Sequence, residues 1–210
     1  MTIKNVIIFG ASGQIGVKAC TKAVNQGLNV RAFSRDSSQY PKEIKEKVVI
    51  VEGDVTNGED VKSAIEGQDA VIVTLGTRND LAPTTVMSKG MQNIIEAMKF
   101  HGINIVSVCI SAFLFFEPEK VPSIFQAVTD DHKRMFNLLK DSGLNWIAVF
   151  PPHFTDATSS KYLVKHGGLP AGRSVSKEAL GSFMIDCLSQ NEHYQKVCGI
   201  SQDELEHPKS

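Results

Sequence analysis

The sequence carries no large excess of charge of either sign. Its 22 basic and 23 acidic residues leave a formal net charge of -1. Such a chain has neither the positive field that collects nucleic acid nor a basic face for anionic lipid. We therefore expect neither nucleic acid nor a membrane among its partners.

Long apolar runs and closely spaced cysteines are also absent. No stretch approaches the roughly 20 apolar residues that cross a bilayer, and the short N-terminal apolar run leads into glycines rather than a cleavage site. The four cysteines, Cys20, Cys109, Cys187 and Cys198, form no CxxC pair and no short metal-ligand spacing. These absences predict a cytosolic protein with reduced thiols and no metal ion. Cys109 is expected to pack in the core, with a thiol function as the alternative.

Runs rich in Val and Ile alternate along the chain with segments of helical periodicity. Buried strands are predicted at 6–9, 30–33, 48–51, 70–74, 105–110 and 146–150. Helices are predicted at 14–26, 86–100 and 131–141, with Gly27, Gly102 and Gly143 at or just after their ends. Strands that are apolar along their whole length must be covered by helices on both faces of the sheet, so the pattern predicts an α/β fold. Its core is a single doubly wound Rossmann-type parallel sheet with helices on both faces.

The length of the chain favours one domain. With 210 residues and 42% hydrophobic content, it can bury one full core but not two large ones. We place the domain at 1–202 and a polar, loose tail at 203–210. Residues 154–173, rich in Thr, Ser, Gly and Pro, are interpreted as an excursion over the sheet edge.

A glycine-rich turn follows the first predicted strand. The residues from Gly10 to Gly16 form a GxxGxxG run that opens the first predicted helix. Glycine allows close backbone approach to a pyrophosphate, and the helix N-terminus offers free N–H donors. Because the motif lies between strand and helix, it predicts a dinucleotide site; a merely tight structural turn is the alternative.

The end of the second predicted strand bears on the choice of cofactor. NAD-specific folds place a carboxylate here for the ribose 2'-hydroxyl, but in this chain Arg35 precedes Asp36. The planar guanidinium of Arg35 suits a 2'-phosphate, which favours NADPH. In the alternative interpretation, Arg35 is a solvated loop cation and Asp36 binds the ribose.

Several stretches of the chain resemble the flavin reductase (NADPH) family, also known as biliverdin-IXβ reductase, an atypical short-chain dehydrogenase-like family. They are FGASGQIG (9–16), RDSS (35–38), GDV (53–55), the block from Gly67 to Gly90, SAFLF (111–115), QAVTDDHKRM (126–135) and PPH (151–153). The resemblance runs nearly end to end. It implies a monomeric cytosolic enzyme that passes hydride from NADPH to flavins (FMN, FAD, riboflavin), biliverdin-type tetrapyrroles and some quinones.

The resemblance also implies site residues. The cofactor would contact Gly10, Ser12, Gly13, Gln14, Ile15, Arg35, Asp54, Val55, Leu75, Gly76, Thr77, Arg78, Pro152 and His153. The catalytic residues would be Ser111, His132 and His153. The chain departs from the family at Gln39 and Ile124, where arginines are expected, and at Phe116, where tryptophan occurs.

The chain also lacks the Tyr-x-x-x-Lys pair with which the larger short-chain dehydrogenase family protonates a carbonyl. Its tyrosines are Tyr40, Tyr162 and Tyr194, and the lysine nearest in pattern, Lys165, follows Tyr162 at the wrong offset. Flat conjugated acceptors spread the incoming charge and can take their proton from water. The absence therefore agrees with a flavin, tetrapyrrole or quinone as acceptor.

Each catalytic candidate also has a plain structural interpretation. Ser111 could simply start a helix, His153 could be polar loop surface, and His132 could lie in the first turn of a helix beside acids that complement its dipole. Phe113, Phe115, Phe116 and Phe125 could form an apolar wall for a planar ring or ordinary core. Two rival functions stay open: a non-catalytic NADP(H)-sensing regulator, and an epimerase or hydroxysteroid-type dehydrogenase.

Overall fold

The computed structural model describes residues 2–77 and 80–202, so Arg78 and the tail at 203–210 lie outside it. Strands and helices alternate through most of this span. In chain order they are β1 (Asn5–Phe9), α1 (Gln14–Asn25), β2 (Asn29–Ser34), α2 (Lys42–Lys45), β3 (Val49–Glu52), α3 (Gly58–Ile65), β4 (Ala70–Val73), α4 (Val86–His101), β5 (Ile105–Cys109), α5 (Gln126–Lys140), β6 (Asn145–Phe150), β7 (His153–Thr155), β8 (Leu163–His166), β9 (Ser174–Ser176), α6 (Lys177–Asp186) and β10 (Lys196–Ser201). Short 3-10 turns include Ser37–Gln39, Ala112–Phe115, Ser123–Phe125 and Asn191–His193.

The main sheet confirms the predicted doubly wound fold. Its strand order over the described residues is β3-β2-β1-β4-β5-β6-β10-β8. The order reverses between β1 and β4, which opens the crevice where such folds bind nucleotides. One feature of the prediction is wrong: the sheet is not wholly parallel, because β8 runs antiparallel to β10. The excursion at 154–173 supplies this edge strand without the helical crossover that a parallel neighbour requires.

Successive residues of each strand face opposite layers of the core. Ile8 of β1 packs with Ala19 of α1 and Leu180 of α6 on one side. Ile7, its neighbour, packs with Met91 of α4 and Met135 of α5 on the other. This alternation buries the sheet on both faces and holds its strand ends in fixed positions.

The helix predictions agree with the structure at α1 and α4 but not at the start of α5. Both α1 and α4 end within one residue of expectation, and Gly27, Gly102 and Gly143 all have left-handed φ angles, of 77°, 69° and 73°. The fifth helix begins at Gln126 instead of residue 131 because the turn Ser123–Phe125 continues directly into it. No helix within the described ranges is long and apolar enough to cross a membrane.

Candidate active site

The carboxyl ends of five parallel strands lie side by side. A single register row contains Phe33, Phe9, Val73, Val108 and Ala148, from β2 across to β6. Neighbouring strands are about 4.8 Å apart, so the loops that leave these strands form a continuous edge. The structure therefore gathers the predicted residues at the ends of β1, β2, β4, β5 and β6 along one edge of the sheet.

The turn after β1 needs glycine at two positions. Gly10 has a φ of +79°, and a Cβ there would lie 2.6 Å from the carbonyl oxygen of Thr74. A Cβ on Gly16 would overlap the carbonyl oxygen of Gly10. Thr74 fixes the same junction, because its N–H and its hydroxyl both donate to the carbonyl of Phe9, at 2.9 and 3.0 Å. The turn is thus pressed against the end of β4, at the point where the strand order reverses.

The N-terminus of α1 presents a polarised backbone to this crevice. Gly13 is its N-cap and provides no capping side chain, and the first turn contains no acidic residue. Half-buried Ser12, exposed Gln14 and buried Ile15 surround this helix end. N–H donors and the positive end of the helix dipole suit a pyrophosphate.

At the end of β2, Asp36 is engaged within its own turn. One carboxylate oxygen accepts the Ser38 N–H and the other accepts Gln39 Nε2, both at 2.8 Å. Arg35, next to it, is exposed. Asp36 is thus held within its own turn, with Gln39 as one of its partners, while Arg35 beside it is open to solvent.

After β3, Asp54 and Val55 have separate structural roles. Asp54 Oδ1 accepts the N–H and the hydroxyl of Thr56, at 2.9 and 2.8 Å. These hydrogen bonds, with a smaller contribution from the positive charge of Arg35, lower the pKa of the Asp54 carboxyl. Val55 is buried, and its carbonyl accepts Asn93 Nδ2 at 2.9 Å. Asp54 thus brings a carboxylate close to Arg35, while Val55 anchors the loop to α4.

The described residues that follow β4 are partly open to solvent. Leu75 and Thr77 are half-buried and Gly76 is exposed. The Thr77 carbonyl accepts the Asp80 N–H at 3.0 Å. The predicted contact at Arg78 lies outside the described residues.

Ser111 follows β5 and starts a turn, as its plain structural interpretation proposed. Its hydroxyl oxygen accepts the Phe113 N–H at 3.3 Å. A hydroxyl that accepts such a bond can still donate its own proton, so this role is compatible with contact to an acceptor.

Cys109, two residues earlier, packs against the α1–α6 layer, and burial raises the pKa of its thiol to about 12.

The phenylalanines after β5 divide into two groups. Phe113 stacks on Phe125, with ring centroids 5.4 Å apart, and Phe116 packs against Phe113 at 5.8 Å. Phe116 remains 43% exposed, so these three rings form an apolar wall that is open to solvent on one side. Phe115 instead packs on Phe150 of β6, at 4.7 Å, as a core residue does.

His132 lies in the second turn of α5, so the interpretation that places it in a first helical turn is wrong. Burial lowers its pKa to about 4, against an opposing effect from Asp131, and no described group bonds to its buried Nδ1. The ring is therefore neutral near pH 7, which suits an orienting role better than that of a charged donor.

Pro152 and His153 close the edge beyond β6. Pro152 is half-buried, and exposed His153 begins β7, where it pairs with Ser174. Phe150, which contacts Phe115, immediately precedes this Pro-Pro-His segment. The loops after β5 and β6 are thereby packed together.

Sequence reasoning missed Asp131, which links the two helices next to this edge. Its fully buried carboxylate accepts the N–H groups of Met87 and Ser88 at the start of α4. Arg134 completes the link by pairing with Asp131 at 3.1 Å and donating to the Thr84 carbonyl at 2.8 Å. The i,i+3 spacing of Asp131 and Arg134 was a visible signal, but it indicated only a local ion pair.

The family comparison identifies a nicotinamide nucleotide-binding domain. A family model described as NAD(P)H-binding matches residues 10–191. A 3-beta-hydroxysteroid dehydrogenase of Mycolicibacterium neoaurum is 34% identical over 109 residues, which is 47% of this chain but only 29% of that protein. An uncharacterised chloroplastic protein of Arabidopsis thaliana is 24% identical over 94% of this chain and 76% of its own length.

Solved structures show the same fold along the whole chain. A Rossmann-fold NAD(P)-binding protein of Shigella flexneri has a TM-score of 0.78 and 24% identity, over 100% of this chain and 98% of its own. A short-chain dehydrogenase/reductase of Veillonella parvula in complex with NADP has a TM-score of 0.78 and 19% identity, over 100% and 99%. ChuY, an anaerobilin reductase of Escherichia coli O157:H7, has a TM-score of 0.80 and 17% identity, over 98% and 100%. With the family match, these findings confirm the predicted nicotinamide cofactor.

Proposed function

Because the chain belongs to the NAD(P)H-binding Rossmann family, we propose that it is an NADPH-dependent reductase of flat conjugated acceptors. The proposed acceptors are flavins and biliverdin-type tetrapyrroles, with quinones as a further class. The observation that carries the proposal is the environment of Ser111: an open wall of phenylalanines adjoins the end of β5, and no tyrosine stands there among the described residues.

All three tyrosines of the chain are placed elsewhere. The Tyr162 hydroxyl donates to Asp186 at 3.0 Å, and the Tyr194 hydroxyl donates to the Leu188 carbonyl at 2.7 Å. Tyr40 is buried in the α1–α6 layer. A ketone needs a positioned acid to protonate the developing alkoxide, whereas a flavin or bilin delocalises the incoming charge. The site therefore suits the conjugated class better than ketones or alcohols.

The preference for NADPH over NADH follows from Arg35. Its guanidinium lies exposed at the end of β2, while both carboxylate oxygens of Asp36 are held by Ser38 and Gln39. With its oxygens engaged in this turn, Asp36 is less available to accept from a ribose 2'-hydroxyl, and the planar guanidinium of Arg35 suits a 2'-phosphate. The Veillonella relative in complex with NADP agrees with this choice.

The protein's part in the reaction is positioning. NADPH, when bound, supplies a hydride, and the acceptor also takes up a proton from water, so the products are NADP⁺ and the reduced acceptor. The N-terminus of α1 would hold the pyrophosphate, Ser111 would donate to a polar atom of the acceptor, and Phe113, Phe116 and Phe125 would face the planar ring. Fixing both reactants in this way lowers the activation free energy by several kcal/mol, because their translational and rotational freedom is lost on binding and not in the transition state. We further propose that His153 bonds to cofactor or acceptor and that the enzyme is a cytosolic monomer.

Among proteins of this fold, the anaerobilin reductase acts on an acceptor consistent with the proposal, although its 17% identity carries only the fold. The hydroxysteroid dehydrogenase offers the contrasting class, a carbonyl or alcohol substrate. The two classes are separated by an acceptor panel with NADPH: FMN, a biliverdin-type tetrapyrrole and a quinone against a ketosteroid. We expect turnover with at least one conjugated acceptor and none with the ketosteroid. The reverse result would overturn the proposal, and binding without any turnover would favour an NADP(H)-sensing regulator.

The cofactor form is tested by Arg35→Ala with Arg173→Ala, another exposed arginine, as the control. A charge-assisted bond contributes about 1.5–3 kcal/mol, so the NADPH dissociation constant should rise roughly tenfold to a hundredfold. The NADH constant should be unchanged in both variants. Equal losses for the two nucleotides would show that Arg35 does not contact the 2'-phosphate.

A further inference from the structure

Two histidines and a cysteine lie together at the far edge of the sheet. His166 ends β8 and stands opposite Cys198 of β10 in the antiparallel pair, while His193 ends the turn before β10. His166 Nε2 is 2.8 Å from His193 Nδ1, and His193 Nδ1 is 4.0 Å from the Cys198 sulfur. The three donor atoms all lie within 4.8 Å of one another. Imidazole nitrogen and cysteine sulfur are the donors that Zn²⁺ prefers.

The spacing of these donors fits one metal ion after small shifts. With Zn–N bonds of about 2.0–2.1 Å and a Zn–S bond of about 2.3 Å, tetrahedral geometry separates two nitrogens by about 3.3 Å and nitrogen from sulfur by about 3.6 Å. The separations of 2.8 Å between His166 and His193 and 4.0 Å between His193 and Cys198 differ from these values by about half an ångström, and the His166 and Cys198 donor atoms lie within 4.8 Å of each other. To bind the ion, the exposed His166 side chain would have to rotate away from His193 Nδ1 and towards the Cys198 sulfur.

The surroundings give the cluster one closed side and one open side. His193 and Cys198 are buried, and the ring of Phe183 packs edge-on against His193 with centroids 5.2 Å apart. His166 is exposed, which provides the approach for an ion from solvent. Three ligands on a half-open cluster leave a fourth position for water.

The cluster is separate from the proposed active site. Cys109, Val149, Cys198 and His166 stand in one register row on successive strands β5, β6, β10 and β8. At about 4.8 Å per strand, His166 is about 14 Å from the end of β5. An ion held here would not touch Ser111 or the phenylalanine wall.

We propose that His166, His193 and Cys198 bind one Zn²⁺ through two imidazoles and a thiolate. Cys198 loses its proton to solvent as the Zn–S bond forms, and one water completes the coordination. The ion joins β8 to β10 and to the turn before β10, so it fastens the excursion at 154–173 to the sheet. The sequence-based expectation of no metal site missed this cluster because strand pairing, and not a short motif, brings His166 to the other two ligands.

The direct test uses the tag-free full chain, dialysed against chelator and titrated with Zn²⁺ in a calorimeter. We expect one ion per chain, with proton release seen as a dependence of the heat on the buffer's ionisation enthalpy. Titration with Co²⁺ should give the intense visible bands of a tetrahedral ion and a thiolate-to-metal charge-transfer band. No binding, or Co²⁺ binding without the thiolate band, would overturn the proposal.

Variants locate the site. His166→Gln alters an exposed side chain and should preserve the fold, with a loss of Zn²⁺ affinity of at least tenfold. His101→Gln, at a half-buried histidine outside the cluster, is the control and should leave the affinity unchanged. Cys198→Ala should abolish the charge-transfer band, whereas Cys20→Ala, at an equally buried cysteine, should retain it. Zn²⁺ should also raise the melting temperature of the wild type but not of His166→Gln. Unchanged affinity in His166→Gln together with an unchanged band in Cys198→Ala would contradict this assignment.

Discussion

Asp131 in α5 caps the amino end of α4 by accepting the Met87 N–H at 3.0 Å. The N-cap residue Thr85 provides no capping hydrogen bond from its side chain, so a residue from another helix accepts from these donors. Arg134 neutralises the buried carboxylate and reaches the Thr84 carbonyl. The segment that leads from the open end of β4 into α4 is therefore anchored through α5.

Removal of this cap should destabilise the fold. Asp131→Ala leaves buried N–H groups unpaired and separates Arg134 from its partner, so we expect the free energy of unfolding to fall by about 2–4 kcal/mol. Asp130→Ala, at the exposed neighbouring acid, should change it by less than about 0.5 kcal/mol. Urea unfolding measures both. Similar values for the two variants would show that the cap is not important for stability.

Much of the site could be predicted because its parts are local in sequence. The glycine turn lies between β1 and α1, and Arg35 directly follows β2, so strand positions alone bring them to one edge. Asp131 could not be assigned in this way, since its partners Met87 and Ser88 lie more than forty residues earlier. The cluster of His166, His193 and Cys198 could not be predicted from the sequence for the same reason, because the antiparallel pairing of β8 and β10 brings it together.

A comparison of alanine substitutions at Gly10 and Gly27 distinguishes the cost of backbone strain from the cost of a steric clash. Both have φ angles near 78°, but a Cβ at Gly10 would lie 2.6 Å from the Thr74 oxygen, whereas one at Gly27 meets nothing within 4 Å. Gly27→Ala should lose about 1–2 kcal/mol of stability from the left-handed backbone alone. Gly10→Ala should lose at least about 1 kcal/mol more and should also weaken NADPH binding. Equal losses in urea unfolding would refute the close contact at the crevice.

His132 should make stability depend on pH. Its folded pKa of about 4 is below the ordinary value of 6.5, so the unfolded chain binds the proton first as pH falls. The contribution of the neutral His132 ring to the free energy of unfolding is fully present above pH 6.5. It is lost as pH falls from 6.5 to about 4, by up to about 3 kcal/mol. Unfolding midpoints of the wild type, His132→Gln and the control His101→Gln should be compared at pH 7 and pH 5. Only His132→Gln should lose less stability on acidification than the wild type; an equal loss would contradict a buried neutral ring.

Ser111 should act on the acceptor and not on the cofactor. Loss of one hydrogen bond in the transition state lowers the rate by about tenfold. Ser111→Ala should therefore lower kcat/KM for FMN by about that factor, while the dissociation constant of NADPH stays unchanged. Ser111→Thr keeps the hydroxyl and should retain most of the activity. Steady-state rates and NADPH titrations separate these effects. An unchanged kcat/KM in Ser111→Ala would remove this serine from the acceptor site.

We propose that the protein reduces a conjugated acceptor with NADPH and without a tyrosine as the acid. This proposal is tested most directly by the initial rate of NADPH oxidation, followed at the nicotinamide absorbance with FMN as acceptor, with NADH run in parallel under the same conditions. We expect turnover that requires FMN and is faster with NADPH than with NADH. Tight NADPH binding without oxidation, for FMN and for a biliverdin-type tetrapyrrole alike, would contradict it.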